Sequence, residues 1–439
     1  PAYQTRNEGM NDRLEMPDNV EGVKQLFESI EPGAGKALER YLKSSQEAYD
    51  LSIKHFLYTN FRDARSFVQP EVVAKLPRFI KLLLKSLYSF SGEYVKDDRL
   101  KKMLNFPAVF LGASPYDTPS MYHLMTHVDM NQGVFYPQGG VYTVIEAIER
   151  LAKAHGVEIH TGSPVTKILS RDGKAVGVQV GKTEHLADVV VASADLHHVE
   201  TKLLAPEHQT YPQSWWDKKV PGPSALLMYL GIKGKIDQLD HHTLLYTKDW
   251  SKNFAEVFHK ADGKRKVPNP ASLYLCMPSK TDKTVAPEGY ENVFVLVPIA
   301  ADVSIGRGGI NGDGDPAFEK EADRILDQIS DWCEIPDLKE RIVVRRTVGP
   351  ANFESELNAW SGTALGMAHT LTQSAFFRPK NFSKKLKNLY YTGHNTIPGI
   401  GLPMCLIGAE LVYKHLIDDR SSGPTKGELK PRKSFKGIK

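Results

Sequence analysis

One stretch near the carboxyl end, KNLYYTGHNTIPGIGLPMCLIGAELVYKHL, constrains the fold of this chain more than any other. It runs from Lys387 to Leu416 and reads as a short aromatic strand, a loop rich in glycine and proline, and an apolar helix from Met404 onward. Glycine lets a backbone approach another molecule closely, and a helix start offers unpaired N–H groups and a positive dipole end. We therefore predict that this element holds a phosphate or the edge of a flavin. A tight strand-to-helix turn is the simpler alternative, but it needs fewer glycines and prolines than are present.

The composition is typical of a soluble globular protein. The 439 residues, 41% hydrophobic and 25% charged, suffice for several domains with cores of their own. A net charge of only +4 gives no argument for nucleic-acid binding. Cys276, Cys333 and Cys405 lie far apart without a CxxC motif, so we expect no disulfide framework and favour a reducing compartment. No apolar run approaches the ~20 residues that a membrane-spanning helix needs.

The start of the chain lacks the usual signals of an amino terminus. It opens with PAYQTRNEG, without an initiator Met or a signal peptide. The chain also contains no GxGxxG motif, and the faintly P-loop-like EPGAGKALE lacks the required spacing. We therefore expect that the natural amino terminus is missing from this sequence.

Sequence patterning divides the chain into five segments. Residues 1–130 are predicted to be mainly helical, and residues 131–200 change to a loop, a helix and strands. Residues 201–375 mix strand-like blocks such as SALLMYLGI and NVFVLVPIA with helices, which is typical of an α+β domain with a mixed sheet. Residues 376–416 contain the strand–loop–helix element, and the polar, basic tail of residues 417–439 is expected to be disordered. The predicted fold class is mixed α/β.

Within residues 131–200 the strand signals are short. GVEIHT and DVVVASA each read as one strand, and VTKILSRDGKAVGVQV reads as a hairpin that turns at Asp172-Gly173. Before these strands, Gly139-Gly140 precede an amphipathic helix. Such a unit occurs in many α/β domains, so it gains meaning only as a partner of the carboxyl-terminal element.

The segment KLPRFIKLLLKSLYSF is predicted to be a basic amphipathic helix. On a helical wheel, apolar residues including Phe79 and Leu83 cluster on one side, whereas Arg78, Lys81 and Lys85 cluster opposite. An apolar face backed only by cations is typical of a helix that lies in an anionic membrane interface. An ordinary surface helix that packs its apolar face on the core is the alternative.

Adjacent histidines occur at His197-His198 and at His241-His242. Neighbouring residues do not share one helix face in the way that an i, i+4 pair does. We therefore predict no zinc site, and no other metal site, in this chain.

Several long motifs in the same order resemble the bacterial and fungal phytoene desaturases, a carotenoid desaturase family of flavoproteins. The motifs are NQGVFYPQGGVYTVIEAIERLAKAHGVEIH, DQLDHHTLLY, LYLCMPSKTDKTVAPEGYENVFVLVP, NFESELNAWSGTALGMAHTLTQSAFFRPKN and NLYYTGHNTIPGIGLPMCLIGAELV, and the resemblance covers nearly all of residues 40–416. It implies an FAD-dependent fold of the amine-oxidase and phytoene-desaturase type, with a split Rossmann-type FAD domain whose amino-terminal part is missing here. Residues 131–200 and 376–416 would belong to that domain, residues 201–375 to a mixed-sheet substrate domain, and residues 1–130 to a helical membrane-associated subdomain.

The resemblance also implies which residues hold FAD. The backbone near Val165 would meet the adenine, Ala194 would end a strand of the same domain, and the glycine-rich loop would pass along the isoalloxazine and ribityl side. The family usually has a small residue and Gly where this chain has His394-Asn395. The full set of implied cofactor-binding residues is Val165, Ala194, Gly393, His394, Asn395, Pro398, Gly399, Gly401, Leu402, Pro403 and Met404.

The implied reaction is desaturation of phytoene or a related long isoprenoid in carotenoid biosynthesis, by hydride transfer to flavin N5 and loss of a proton. The segment FRDARSF offers Arg62, Asp63 and Arg65 as catalytic candidates, with a solvated charge cluster on a loop as the alternative. Because such a hydrophobic polyene resides in lipid, the implied location is cytoplasmic and peripheral on the membrane, with the basic helix as the point of contact. No nucleic-acid partner is implied.

Other functions share this scaffold and stay open at this point. A carotenoid isomerase, a retinol-saturase-like flavoenzyme and a catalytically inactive membrane-associated fragment are the alternatives to a desaturase. A flavin amine oxidase relative would need an aromatic cage beside the flavin, of which the sequence shows no clear sign. The carotenoid, the number of desaturation steps, the final electron acceptor and the oligomeric state are not decided by these motifs.

Overall fold

A mixed sheet of seven strands forms the centre of the structure, a computed structural model that describes residues 2–10, 13–62, 67–258 and 265–426. The strands are β1 (Tyr3–Asn7), β2 (Arg13–Met16), β3 (Val165–Arg171), β4 (Lys174–Val180), β5 (Thr183–Leu186), β6 (Val190–Ala192), β7 (Ser224–Lys233), β8 (His242–Tyr246), β9 (Leu273–Cys276), β10 (Tyr290–Ile299), β11 (Ile342–Val348) and β12 (Leu389–Tyr391). The helices are α1 (Val20–Ile30), α2 (Ala34–Ser52), α3 (Pro70–Ala74), α4 (Leu76–Leu84), α5 (Leu87–Ser91), α6 (Asp98–Asn105), α7 (Leu124–Thr126), α8 (Tyr142–Ala154), α9 (Leu196–His198), α10 (Gln213–Trp216), α11 (Trp250–Phe258), α12 (Pro316–Trp332), α13 (Pro350–Leu357) and α14 (Leu402–Leu416). The predicted mixed α/β class is confirmed.

The central sheet runs in the order β11-β7-β10-β9-β8-β1-β2. Neighbouring strands are antiparallel except β1 and β8, which are parallel. Helix α12 covers one face, where Phe318, Ala322, Ile325 and Ile329 are buried at helical spacing against the inward side chains of β7, β9 and β10. The opposite face is only partly covered, because side chains along β10 alternate between buried and half-buried.

Strand β1 lacks the hydrophobic pattern of a buried strand, because most of its residues are polar. Gln4 and Thr5 are fully buried, and Gln4 Nε2 donates a hydrogen bond to Thr243 Oγ1 of β8 at 2.8 Å. Buried polar groups that find such partners can occupy a sheet interior. The prediction of a mainly helical segment over residues 1–130 is therefore wrong for residues 3–16, which form two strands of the central sheet.

The predicted basic helix over residues 75–90 is two helices. Helix α4 ends at Leu84, and Lys85 adopts an extended backbone. Ser86 then caps α5, because its hydroxyl accepts a hydrogen bond from the backbone N–H of Ser89 at 3.3 Å. Helices α1, α2 and α6 pack beside this pair, against β1, β8 and α11, and form a second core.

A smaller unit contains the meander β3-β4-β5 and the parallel pair β6 and β12. The predicted hairpin is confirmed, since Asp172 and Gly173 have positive φ angles of 49° and 73° and join β3 to β4. The predicted strand GVEIHT is wrong: within the described part of the chain, residues 157–160 pair with no strand. Val157 and Ile159 are 52% and 47% exposed there, so no sheet covers them.

The chain after α14 folds back onto that helix. Lys414 Nζ is buried and donates hydrogen bonds to the carbonyl oxygens of Tyr58 at 2.9 Å and Ser421 at 3.1 Å, and Thr425 Oγ1 donates to Glu410 Oε1 at 2.7 Å. The expected disorder is therefore wrong for residues 417–426, whereas residues 427–439 lie outside the described residues. Among the residues that the structure describes, no helix is both long and apolar enough to cross a membrane.

Candidate functional site

The glycine-rich loop follows β12 at the edge where the parallel strands β6 and β12 both end. Leu389 pairs with Val190 and Tyr391 with Ala192, so Gly393 and the segment after β6 emerge side by side. A Cβ atom on Gly393 would stand 3.5 Å from the carbonyl oxygen of Ser193. Ligands in α/β proteins bind outside the carboxyl ends of parallel strands, which makes this edge the candidate site.

Asp195 joins the two segments that leave this edge. Its carboxylate is buried and accepts hydrogen bonds from the backbone N–H of His197 at 2.9 Å and from Asn395 Nδ2 at 3.1 Å. The amide oxygen of Asn395 accepts a hydrogen bond from the Met367 N–H at 2.9 Å. The side chain of Asn395 is thus engaged by the protein at both ends, which leaves its backbone for any contact with a cofactor.

A buried arginine supports the loop from behind. Arg378 is 2% exposed and donates hydrogen bonds to the carbonyl oxygens of His394 at 2.7 Å and Gln373 at 3.1 Å. Burial lowers the pKa of this guanidinium to about 10, so it stays charged at neutral pH. A charge held among backbone carbonyls fixes the path of the loop, because moving it would leave those partners unpaired.

His369 packs between Arg378 and Gly399. Its Nδ1 donates to the Leu111 carbonyl oxygen at 2.7 Å, and its Nε2 lies 3.4 Å from Arg378 Nη1. Burial, together with the Arg378 charge, lowers the pKa of His369 well below its usual value, so the ring is neutral and Nε2 accepts. A Cβ atom on Gly399 would stand 2.7 Å from that Nε2. This glycine therefore serves the packing behind the loop.

Helix α14 begins at the exposed end of the loop. Gly401, the N-cap residue, has a φ angle of 110° and offers no side chain to cap the helix. Gly401, Leu402 and Pro403 are exposed, and Pro403 occupies the first turn, where its missing N–H costs nothing. Behind them Gly408 meets Thr392 Oγ1, which would stand 2.9 Å from an added Cβ atom. The helix start is thus held against the end of β12 with its first turn open.

The other predicted cofactor residues differ in their exposure and in their position relative to this edge. Ala194 is exposed two residues after the end of β6, next to Asp195. Val165 begins β3, pairs with Val180 and is half-buried. Pro398 and Met404 are half-buried parts of the loop and of the first turn of α14. The roles of these residues toward a cofactor stay predictions.

Asp282 ties the glycine pair before α8 to the central sheet. Its carboxylate accepts hydrogen bonds from Thr284 Oγ1 at 2.6 Å, Gln138 Nε2 at 2.6 Å and the Gly139 N–H at 2.7 Å. These bonds, from Thr284 first and from the Gly139 backbone, hold the pKa of Asp282 at about 2. Sequence reasoning missed Asp282, Arg378 and His369, although each lies inside a motif quoted for the resemblance.

The predicted catalytic residues lie elsewhere. Arg62 Nη1 forms an ion pair with Asp418 Oδ1 at 2.6 Å, just beyond the carboxyl end of α14. That helix has 15 residues and is therefore about 22 Å long, which separates this pair from Gly401. Asp63 and Arg65 lie outside the described residues. The catalytic role of all three residues stays a prediction.

The predicted membrane helix presents a different face from the one expected. Arg78 forms an ion pair with Glu47, and both Lys81 and Lys85 approach Glu93, so acids from other elements neutralise the cationic side. The remaining members of the predicted set point elsewhere: Phe79 is 9% exposed in a small core, and Leu83 is half-buried. The exposed apolar side chains of α4 are Leu76, Ile80 and Leu84.

Comparison with known proteins gives the class of protein. The sequence model of the family described as flavin containing amine oxidoreductase matches residues 6–411. In structure, the chain is similar to an oxidoreductase from Methanosarcina mazei, with a TM-score of 0.51 and 17% identity over 81% of this chain and 75% of that one. It is also similar to putrescine oxidase bound to putrescine, with a TM-score of 0.54 and 12% identity over 89% of this chain and 75% of that one. Fold and site edge thus define a flavin-dependent oxidoreductase.

The most informative sequence relatives are carotenoid enzymes. The chain is 38% identical to the carotenoid 3,4-desaturase of Haloarcula japonica over 409 residues, 93% of this chain and 80% of the relative. It is 31% identical to the zeta-carotene-forming phytoene desaturase of Myxococcus xanthus, over 89% of this chain and 73% of the relative. The chain belongs to the flavin containing amine oxidoreductases and, within them, to the carotenoid desaturase family, with FAD as its cofactor.

The residues at the strand edge fit a flavin. Thr392 Oγ1 and His394 Nε2 are buried polar atoms that find no hydrogen-bond partner within the described part of the chain. His394 Nε2 lies 3.4 Å from Asp195 Oδ2 without bonding to it. Buried polar atoms left unpaired in a protein call for an explanation, and a polar cofactor beside them supplies one. The open first turn of α14 adds backbone donors suited to an anionic or carbonyl-bearing group.

Proposed function

We propose that this protein is an FAD-dependent desaturase of a long isoprenoid, phytoene or a related carotenoid precursor, in carotenoid biosynthesis. The names of its relatives, a carotenoid 3,4-desaturase and a phytoene desaturase, support this substrate class. The structural observation that carries the proposal is an aromatic row on the partly covered face of the central sheet.

The aromatic row consists of Tyr229, Phe294, Tyr274 and His242, one residue from each of four neighbouring strands. The ring centroids are 5.3 Å apart for Tyr229 and Phe294, 6.5 Å for Phe294 and Tyr274, and 5.9 Å for Tyr274 and His242. Four strands span about 14 Å at the usual spacing. The rings of Phe294, Tyr274 and His242 are half-buried and that of Tyr229 is exposed. Accessible aromatic rings in a row of this length form an apolar wall for an extended, conjugated chain.

The row leads toward the turn before α8. His241, next to the end of the row, packs edge-on against the ring of Tyr136 with centroids 4.8 Å apart. Tyr136 in turn donates a hydrogen bond to Asp282, which also holds Gly139. A polyene lying on the row would therefore reach the segment that the resemblance assigns to the FAD domain.

Bound FAD would supply the two-electron acceptor for the hydride that leaves a saturated carbon beside the polyene. The residues at the strand edge, Thr392 and His394 foremost, would hold that cofactor through their free polar atoms. The aromatic row would align the substrate and exclude water from it. Arg62, Asp63 and Arg65 remain our proposed catalytic residues: the Asp63 carboxylate would accept the proton lost in the reaction, and Arg62 would have to leave Asp418 to act.

We also propose that the protein docks peripherally on the cytoplasmic side of a membrane, where a hydrophobic substrate resides. Leu76, Ile80 and Leu84 form one exposed stripe along α4 and are 47%, 48% and 76% exposed. Val73 of α3 continues the stripe and is 51% exposed. Exposed apolar side chains at a spacing of four residues suit insertion between lipid headgroups.

The test is conversion of phytoene in liposomes by the full chain supplied with FAD, followed by chromatography and the absorption spectrum of the products. We expect products with longer conjugation. We further expect Tyr229→Ala to slow conversion about three- to tenfold, the size of an aromatic contact. Tyr290→Ala is the matched control, because Tyr290 is similarly exposed at the edge of β10 but lies outside the aromatic row.

Two results would replace this proposal. Products of unchanged mass and altered geometry would identify a carotenoid isomerase, whereas loss of a double bond would identify a saturase. A chain that binds FAD and vesicles but converts none of these substrates would contradict the desaturase assignment.

A further inference from the structure

Two strands bring three metal-ligating side chains together at the end of the aromatic row. His242 begins β8 and stands directly opposite Cys276, the last residue of β9, in their antiparallel pairing. Residues directly opposite in such a pair have their side chains on the same face of the sheet. His241 precedes His242, and the two imidazole rings lie with centroids 4.3 Å apart.

The potential ligand atoms of these residues converge. One nitrogen of each imidazole and the Cys276 Sγ atom all lie within 4.8 Å of one another. A tetrahedral zinc with bonds of about 2.0–2.3 Å places its ligand atoms about 3.3–3.8 Å apart. Small side-chain rotations therefore suffice to bring the three atoms onto one ion.

Neighbouring hydroxyl groups orient both rings through Nδ1. His241 Nδ1 forms a hydrogen bond with Thr281 Oγ1 at 2.6 Å, and His242 Nδ1 forms one with Tyr274 Oη at 2.6 Å. Metal-ligating histidines commonly make such a bond through their second nitrogen. His241 Nε2 is buried and has no hydrogen-bond partner among residues 2–10, 13–62, 67–258 and 265–426. Its lone pair is therefore available to bind a metal ion.

We propose that His241, His242 and Cys276 form a site for a zinc-type divalent metal ion, separate from the flavin site. Two imidazoles and one thiolate are the ligand set of zinc and related transition metals, whereas magnesium and calcium prefer oxygen ligands. On binding, the Cys276 thiol releases its proton to solvent and the thiolate sulfur forms the bond to the metal. A water molecule takes the fourth position.

The predicted absence of a metal site rested on histidine spacing and on the wide separation of the cysteines. Adjacent histidines cannot both face one side of a helix, but His241 lies just before a strand, so its ring can turn toward that of His242. The third ligand comes from a strand about 34 residues further along the chain, which no local motif reveals. A metal here would cross-link β8 and β9 beside the turn that carries Tyr136.

Cobalt titration of the full chain, first freed of metal by a chelator, tests the proposal. We expect one equivalent of Co²⁺ to bind, with a thiolate-to-cobalt charge-transfer band and the intense visible bands of a tetrahedral site, and Zn²⁺ to displace it. Cys276→Ser should abolish the charge-transfer band, and His241→Ala should weaken binding by at least about tenfold. Cys405→Ser and His185→Ala are the matched controls and should keep both the band and the affinity.

A second measurement uses the unaltered chain, so it does not depend on the folding of any variant. Zn²⁺ should slow the alkylation of Cys276 by iodoacetamide at least about tenfold while leaving Cys405 unchanged, as read by peptide mapping. Absence of the cobalt band in the unaltered chain, the same band in Cys276→Ser, or equal alkylation with and without zinc would overturn the site. None of these readouts uses FAD or a polyene, so this proposal and the proposed desaturation succeed or fail independently.

Discussion

Asn395 Nδ2 donates a hydrogen bond to Asp195 Oδ2 at 3.1 Å, across 200 positions of the chain. This bond joins the segments that follow the two parallel strands β6 and β12, at the edge assigned to the flavin. Because the carboxylate is 1% exposed, it cannot exchange this partner for bulk water. The geometry of the cofactor edge therefore depends on a residue whose own side chain faces the protein.

Asn395→Ala tests that dependence. The substitution leaves the Asp195 carboxylate and the Met367 N–H each short of a buried partner, which costs about 3 kcal/mol of the free energy of unfolding. We expect weaker FAD binding as well, because the two loops are no longer tied together. Urea unfolding and flavin titration measure the two effects. Asn131→Ala, at an exposed position, should change neither, and equal effects of both substitutions would contradict the assignment.

Gly399→Ala tests the packing behind the loop. The added Cβ atom would stand 2.7 Å from His369 Nε2, and the φ angle of 143° is one that L side chains rarely adopt. We expect a loss of about 1–3 kcal/mol in the free energy of unfolding, the usual cost of overpacking a buried position. Gly92→Ala is the control, because Gly92 has a φ angle of −64° and its new Cβ would stand 3.5 Å from the nearest atom. A stable Gly399→Ala protein would show that His369 can move away.

His123 makes stability depend on pH. Burial lowers the pKa of its imidazole to about 4, against an unfolded value of 6.5. Between pH 6.5 and about pH 4, the unfolded chain therefore binds a proton at His123 that the folded chain does not. The contribution of His123 to the free energy of unfolding is fully present above pH 6.5 and is lost as the pH drops toward 4. The loss from this group amounts to about 2 kcal/mol between about pH 7 and about pH 5. Unfolding titrations at both pH values measure it.

The control for this pH effect is His123→Gln, which retains polar atoms near Ser44 and Ser120 but does not titrate. We expect the free energy of unfolding of this variant to lack the change of about 2 kcal/mol that His123 contributes between the two pH values. The contributions of the other histidines should be unchanged. An unchanged slope between the two pH values would mean that His123 binds protons equally in the folded and the unfolded chain.

Leu84→Glu tests the membrane surface. Leu84 is 76% exposed at the end of α4, and burying one such side chain in a lipid interface is worth about 1.5–3 kcal/mol. We therefore expect at least about tenfold weaker sedimentation with anionic vesicles. Leu357→Glu, at a leucine that is 64% exposed on α13, should bind as the unaltered chain does. Equal losses for the two variants would assign vesicle binding to general hydrophobicity instead of α4.

Local patterns predicted much of this fold. The hairpin at Asp172-Gly173 follows from turn chemistry, because it depends on residues close in the chain. The order of strand, glycine-rich loop and helix at β12 and α14 is confirmed for the same reason, whereas the role of the loop toward a cofactor stays a prediction. Strand GVEIHT was mispredicted because a strand needs a neighbour, and patterning cannot show whether one is paired with it.

Features that depend on distant residues could not be predicted. The burial of Arg378 needs the carbonyl groups of Gln373, Met367 and His394. The residues next to Arg378 in the sequence, FRPKN, give no sign of these partners. The exposed face of α4 is set by Glu47 and Glu93, acids from other elements that pair with its cations. A helical wheel of α4 alone places the cationic side in solvent. In the tertiary structure, the side chains that face solvent include Leu76, Ile80 and Leu84.

The parallel pairing of β6 with β12 has a consequence for how the enzyme is made. β6 ends at Ala192, but its partner β12 begins only at Leu389, so the central-sheet strands β7 to β11 lie between them in the chain, whereas β1 and β2 precede both. Such a long closure is slow compared with local hairpins and helices. On the ribosome, the central sheet can therefore condense while the edge formed by β6 and β12 is still open. A cofactor that is held at this edge therefore binds only after the strands of the central sheet have been made.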